Sequence, residues 1–245
     1  MARYDSEAVL PYNQEEQKTT QVKRLFDDIA DKYDLLNHIL SFNIDKLWRK
    51  RGIAYLRPFA PKTILDIATG TGDLAIAMCQ KLHPDHITGA DLSEVMMEVA
   101  RKKVAKIGCS EKISFDQQDC LALTYSDNTF DAVTAAFGVR NFEDIEKGIG
   151  EMYRVMRTGG HLMLLELSTP ERFPMRQLYQ LYSKLIPLVG KAVSKKKSAY
   201  DYLPASIKAV PQGKVMTDIL TRQGFKEAKA QTLTFGICSL YTGTK

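Results

Sequence analysis

From Thr63 onward, short apolar runs alternate with amphipathic stretches. The runs TILDI (63–67), HITGA (86–90), ISFDQ (113–117), FDAVTAA (130–136) and HLMLLEL (161–167) have the length and composition of strands. Helical stretches separate them at about 73–82, 94–107 and 145–156, and Ser93 supplies a good N-cap for the second. Strands and helices in strict alternation predict βαβ units, and hence an α/β fold around a parallel sheet with right-handed crossovers. The segment 213–224 reads as a further helix, and two last strands near 225–232 and 235–242 read as a closing antiparallel pair.

Upstream, the period changes. Val22, Leu25, Phe26, Ile29 and Tyr33 recur at spacings of three and four; Leu36, Ile39 and Leu40 continue the stripe, and it resumes near Leu47 and Trp48. This predicts an N-terminal helical cap that ends at Pro58. After Thr169 comes a helical insertion rich in Tyr and Lys. The chain thus divides into a cap (1–60), a core (61–170), a helical insertion (171–212) and a closing helix with strands (213–245), all within one domain. A length of 245 residues and 44% apolar content suit such a domain with a well-buried core.

Charge adds an exclusion. Lys and Arg number 34 against 29 Asp and Glu, a formal +5. That excess is too small and too dispersed for a dedicated nucleic-acid binder. Cys79, Cys109, Cys120 and Cys238 are far apart and form no C-x-x-C pair, so neither disulfides nor a metal site is expected. The start MARYDSEAVLPYNQEEQ carries acids where an export leader needs an apolar stretch, so a cytoplasmic protein is expected. No apolar run reaches the roughly 18 to 20 residues that span a bilayer.

The candidate chemistry begins at ILDIATGTGDL (64–74). From Gly70, G-T-G-D-L-A satisfies the dinucleotide fingerprint G-x-G-x-x-G/A. Its acids argue for a different ligand. Asp66 lies on the first strand run, four residues before Gly70, and Asp73 opens the following helix, where a pyrophosphate would sit and would be repelled. S-adenosylmethionine presents a sulfonium and an ammonium there instead, and acids favour it. Asp91, ending the second strand, can accept from both ribose hydroxyls, and Asp119 after the third can accept from the adenine amine beside Cys120. The cofactor contacts expected are Asp66, Gly70, Gly72, Asp91, Leu92, Asp119 and Cys120.

The segments LDIATGTGDL, GADLSEVMMEVA, QQDCLAL, DNTFDAVTAAFGVRNFED and MYRVMRTGGHLMLLELSTP together resemble the seven-stranded, Rossmann-like class I S-adenosylmethionine-dependent methyltransferases. FGVRNFED, YDLLNHILSFNIDKLWRKR and SAYDYLPASIKAVPQG narrow the resemblance to the menaquinone/ubiquinone biosynthesis C-methyltransferases, over about residues 20 to 245. The resemblance implies a mostly parallel sheet with an antiparallel last strand, and it implies Thr71 among the cofactor contacts. It also implies methyl transfer to a ring carbon of a polyprenyl naphthoquinol or of a benzoquinol precursor; another lipid or small phenol is the alternative acceptor. Ala136 stands where many relatives carry Ser, and Ala68 stands where many carry Gly, the latter read as a small change.

For that chemistry Arg140 is the candidate stabiliser of a quinolate oxygen, with Asn141 orienting it; an ion pair to Glu143 or Asp144 is the competing role for Arg140. Tyr33 is a candidate roof and proton relay, and His38 a weaker candidate base. The partners expected are a polyprenyl quinol and a transient contact with the inner face of the cytoplasmic membrane, and homodimerisation is left open. The membrane element expected is the stripe Leu178, Leu181, Tyr182, Leu185, Leu188 and Val189 with Lys191, Lys195, Lys196 and Lys197 behind it; a cap helix packed on the sheet with a solvated Lys loop is the competing reading.

Overall fold

The computed structural model describes residues 2–13, 15–183 and 197–245. Two helices form the cap, α2 (Lys18–Leu40) and α3 (Ile44–Leu56), preceded by the single turn α1 (Asp5–Ala8). Phe42 and Asn43, both at positive φ, turn the chain between them. The core then runs β1 (Thr63–Ile67), α4 (Asp73–Leu82), β2 (His86–Asp91), α5 (Glu94–Lys106), β3 (Ile113–Gln117), β4 (Phe130–Ala136), α6 (Ile145–Val155) and β5 (Met156–Leu167). Helices α7 (175–183) and α8 (Lys197–Ala209) follow, then α9 (Lys214–Arg222), β6 (Lys226–Leu233) and β7 (Cys238–Thr244).

The seven strands form one sheet in the order β3-β2-β1-β4-β5-β7-β6. All pairings from β3 to β5 are parallel, and β7 runs antiparallel to both of its neighbours. Alternate residues of each strand feed opposite layers. Leu65, Val133, Leu162 and Leu164 pack with Ile145, Ile149 and Met152 of α6 and Ile219 of α9. Ile64, Ala132, Met163 and Leu165 pack with Trp48 and Ile53 of α3, Met78 of α4 and Met97 of α5.

The strands and helices lie where the hydrophobic pattern puts them, with one informative difference. Strand β5 starts at Met156, five residues before the apolar run. Met156 pairs with Phe130, the register then shifts, and pairing resumes at Ala132 with His161. The intervening RTGG reads as a turn in sequence, and with Gly159 at φ +80° it bulges out of the ladder.

Reversal of strand order between β1 and β4 opens a crevice at the C-terminal strand ends. Helix α2 lies across it. Asp27 accepts from the Ser93 hydroxyl at 2.5 Å, and Asp34 accepts from the Thr71 hydroxyl at 2.5 Å and from Lys103 at 2.7 Å. The cap is thereby tied to the loops after β1 and β2.

Candidate active site

Two cavities meet in this crevice. The first is lined by the ends of β1 (Ile67, Ala68, Gly70), β2 (Ala90, Asp91, Leu92, Ser93), β3 (Gln118, Asp119, Cys120) and β4 (Ala136, Phe137, Gly138), and α2 covers it with Thr19, Val22, Lys23, Phe26 and Tyr33. Gly70, at φ +56°, gives the loop a conformation that residues with side chains rarely adopt, and its N–H donates to Asp91 Oδ2 at 2.8 Å. Ser93 N–H donates to Asp91 Oδ1 at 2.9 Å. The carboxylate is therefore fixed from behind, and each oxygen keeps a lone pair for a ligand hydroxyl. Burial pushes its pKa up, against the pull of those two N–H groups. Asp119 is oriented likewise by Leu121 N–H at 2.9 Å.

Of the expected cofactor contacts, Gly70, Asp91, Leu92, Asp119 and Cys120 line this cavity, whereas Asp66, Thr71 and Gly72 do not. Asp66 is 1% exposed and accepts from the hydroxyls of Thr69 and Thr134, both at 2.7 Å. Burial drives its pKa up to about 6 despite those two donors. Thr71 spends its hydroxyl on Asp34. Gly72 is the N-cap of α4 at φ +77°, and a Cβ there would lie 3.1 Å from that of Ala100, so this glycine serves helix packing. Asp73 does not face the cavity either. Lys103 binds its carboxylate, Arg49 lies 3.6 Å away and His38 3.8 Å. Asp73 therefore neither repels a pyrophosphate nor attracts a cation in this cavity. Acidity survives by other means: Asp91, Asp119 and Glu143 line the cavity against Lys23, which is itself paired with Asp27. Oriented acids for ribose and amine, with Leu121, Leu123, Met96 and Phe142 as apolar walls, fit S-adenosylmethionine.

Ala68 is not the small change expected. Its φ is +52°, a region where a side chain is strained, and its Cβ would lie 2.5 Å from a Cβ built on Gly138. The β1 and β4 loops touch here through alanine on one side and glycine on the other.

The second cavity holds about 320 Å³, within the range of small-molecule sites. Its walls are Leu40, Phe42, Ile44, Trp48, Leu167, Tyr179 and Ile207, among others, and its charged members are Asp45, Arg49 and Arg140. Tyr33 and Phe137 line both cavities, so these two side chains form the partition. A narrower cleft beside them brings Tyr33, Arg140 and Asn141 together with Tyr202. Tyr33, more than a hundred residues upstream, is thus brought to the adjacent pair Arg140 and Asn141, the other two expected catalytic residues.

Arg140 is 5% exposed, and its ion-pair partner is Glu166 at 2.8 Å, neither Glu143 nor Asp144. Glu143 accepts from Thr19 instead, and Asp144 caps α6. Arg140 also donates to the Phe137 carbonyl. Burial lowers its pKa, but the Glu166 charge more than offsets this and keeps it a cation. Burial raises the Tyr33 phenol, opposed by Arg140 and by a hydrogen bond with Asn37. Tyr33 is therefore a neutral O–H donor at neutral pH. Asn141 Oδ1 accepts from Tyr202 Oη at 3.1 Å. His38 is held by Asp45 at 3.0 Å and is not among the cavity-lining residues. His161 stacks on Phe59, away from both cavities.

Four contributors escaped the sequence reading. Glu166 sits inside the apolar run HLMLLEL, and a carboxylate there requires a buried cation; that signal was available. Lys18 is 2% exposed and donates to the carbonyls of Ser6 and Arg140, with its pKa lowered to about 8 by burial. Asp45 and Arg49 look like solvated helix residues in sequence; burial raises the Asp45 carboxyl, but the Ser41 hydroxyl and Arg49 outweigh it and hold it below its ordinary value.

The profile of the ubiE/COQ5 methyltransferase family matches residues 13–245. A demethylmenaquinone methyltransferase of Bacteroides fragilis is 55% identical over 99% of both chains. A ubiquinone/menaquinone biosynthesis C-methyltransferase of Geotalea daltonii is 39% identical over 94% of this chain and 98% of its own. Among solved structures, a SAM-dependent methyltransferase of Thermotoga maritima, described as a possible histamine N-methyltransferase, superposes with a TM-score of 0.60. It is 20% identical over 91% of this chain and 99% of its own, a likeness of fold.

Proposed function

Because the chain belongs to the ubiE/COQ5 methyltransferase family and is an S-adenosylmethionine-dependent methyltransferase, we propose that its acceptor is a demethylmenaquinol and that it methylates the bare ring carbon beside one quinol oxygen. The observation that carries this reading is the apolar cavity of about 320 Å³ that abuts the cofactor cavity across Tyr33 and Phe137 and holds Arg140. A naphthoquinol ring suits such walls, and its oxygens need a cation.

Bound S-adenosylmethionine supplies an electrophilic methyl group on a sulfonium. Asp91 and Asp119 would hold its adenosine, and Tyr33 and Phe137 would frame the passage between the two ligands. Arg140 stabilises negative charge on the quinol oxygen next to the attacked carbon, which makes that carbon nucleophilic. Asn141, its carbonyl held by Tyr202, orients the same oxygen. The quinol O–H proton leaves before transfer; afterwards the methylated carbon gives up its proton and the oxygen takes one back, so one proton in all is released, relayed to water through the Tyr33 hydroxyl. Helix α2 roofs the site and limits water, and alignment supplies much of the rate. The test is an anaerobic assay of the purified protein with labelled cofactor and a short-tailed demethylmenaquinol kept reduced by dithionite. A ring-methylated product is expected, and an O-methyl ether or no product would contradict the reading. The name of the Geotalea relative covers ubiquinone as well, so a benzoquinol precursor is the second acceptor, tried in the same assay.

No helix among the described residues is long and apolar enough to cross a membrane. Peripheral attachment belongs to the proposal. Phe42 (75% exposed) and Leu178 (55%) line the acceptor cavity, and Leu181 (62%) is exposed on the same helix as Leu178, an apolar rim through which a prenyl tail can remain in lipid. Of the expected stripe, Tyr182 turns inward and donates to the Leu40 carbonyl. Leu185, Leu188, Val189, Lys191, Lys195 and Lys196 lie outside the described residues.

A further inference from the structure

Two buried guanidinium nitrogens have no hydrogen-bond partner among the described residues, Nε of Arg140 and Nε of Arg49. Both arginines line the acceptor cavity. They flank Phe137: Arg140 donates to its carbonyl, and the Arg49 guanidinium lies 5.5 Å from its ring centroid. An unpartnered charged donor at a buried site is costly, and a ligand acceptor is the simplest means of relieving it. Nη1 of Arg140 is held by Glu166 and Nη1 of Arg49 by Asp45, with Asp73 3.6 Å from Arg49 Nη2. Each guanidinium is therefore anchored at Nη1 while its Nε keeps a donor unused.

We propose that Arg49 is a second substrate-binding residue, which takes the quinol oxygen on the far side of the ring while Arg140 takes the oxygen beside the methylated carbon. This inference rests on the acceptor class proposed above. The assignment of ends follows from the lining. Arg140 shares its cleft with Tyr33 and Asn141, both of which reach the cofactor cavity, whereas Arg49 lines the acceptor cavity alone. A quinol carries its two oxygens on opposite sides of the ring, and a monophenol does not. Arg49 thus makes the cavity selective for a reduced 1,4-dioxygenated ring over a simple phenol, a discrimination that apolar walls cannot supply.

Trp48, the chain's one tryptophan, lines the same cavity, so its fluorescence reports acceptor binding without turnover. The test compares two acceptors on wild type and Arg49→Gln, by anaerobic Trp48 titration and by methylation rate. One acceptor is a short-tailed demethylmenaquinol. The other is its analogue lacking the far oxygen, a 3-prenyl-1-naphthol. Loss of Arg49 is expected to weaken binding and kcat/KM for the diol by roughly 30-fold and to leave the monool nearly unchanged. Arg49→Lys keeps a cation beside Asp45 and recovers part of the preference; it also provides the same comparison if Arg49→Gln does not fold. Equal losses on diol and monool in the Arg49 variants, or no loss on either, would overturn the role of Arg49. Failure of the wild type to methylate the diol would instead overturn the acceptor class, and this inference with it.

Discussion

Asp66 shows what a residue's neighbours decide. An acid on the first strand run is legible in sequence, and its class suits a cationic cofactor; the two threonine hydroxyls that enclose it come from the loop after β1 and from β4, and no local pattern announces them. With its pKa raised by burial to about 6, the native state keeps a proton that the unfolded chain, near 3.8, has released. Stability contributed by Asp66 is therefore complete below about pH 4 and lost as pH rises through about 6. A shift of that size corresponds to on the order of 3 kcal/mol. Asp66→Asn does not titrate, and hydroxyls can turn to suit its amide. Its melting temperature should gain on wild type between pH 4 and 7, and a constant difference would contradict the assignment. Arg140 differs, because FGVRN marked it while its partner Glu166 lay 26 residues on. Removing its charge would strand Glu166 in the interior, so Arg140→Lys is the cleaner variant. It should lower kcat by about 100-fold or more with affinity for S-adenosylhomocysteine retained; a parallel loss in both would place Arg140 in cofactor binding.

Among the elements, boundaries were most legible where an apolar run met a polar break, as in β1, β3 and β4. They were least legible where tertiary contacts extend a strand past turn-like residues, as at Met156. The cap helices were visible by their period, but their placement was not. That depends on Asp27 and Asp34 meeting Ser93, Thr71 and Lys103 of the core, contacts between residues that look like ordinary surface positions. The contact of the β1 and β4 loops was equally hidden. Gly138→Ala would set two Cβ atoms 2.5 Å apart, and neither is a flexible tip that can move aside. It should cost roughly 1–3 kcal/mol of stability and weaken cofactor binding, since both residues line that cavity. Adding Ala68→Gly should restore both, because glycine removes the clash and accepts φ +52° without strain. A double variant as impaired as Gly138→Ala, measured by calorimetry and thermal unfolding, would rule out this contact as the cause.

For the whole molecule, strand order and cofactor class were readable because alternation and acid placement are properties of the chain itself. The acceptor cavity was not, since its walls come from α2, α3, the end of β5 and the helices after it, which only the fold assembles. Its exposed apolar rim leads to an expectation at this scale. Leu181→Glu, outside the cavity lining, should reduce binding to anionic vesicles and turnover of a long-tailed quinol in them, while a water-soluble short-tailed acceptor reacts as before. Equal turnover of both would place the membrane contact elsewhere. The central claim, methylation of a demethylmenaquinol, is tested most directly by the quinone profile of a menaquinone-making strain that lacks this gene. The expected result is accumulation of demethylmenaquinone with loss of menaquinone, reversed by the wild-type gene. An unchanged profile would contradict that claim and show that the chain methylates some other acceptor.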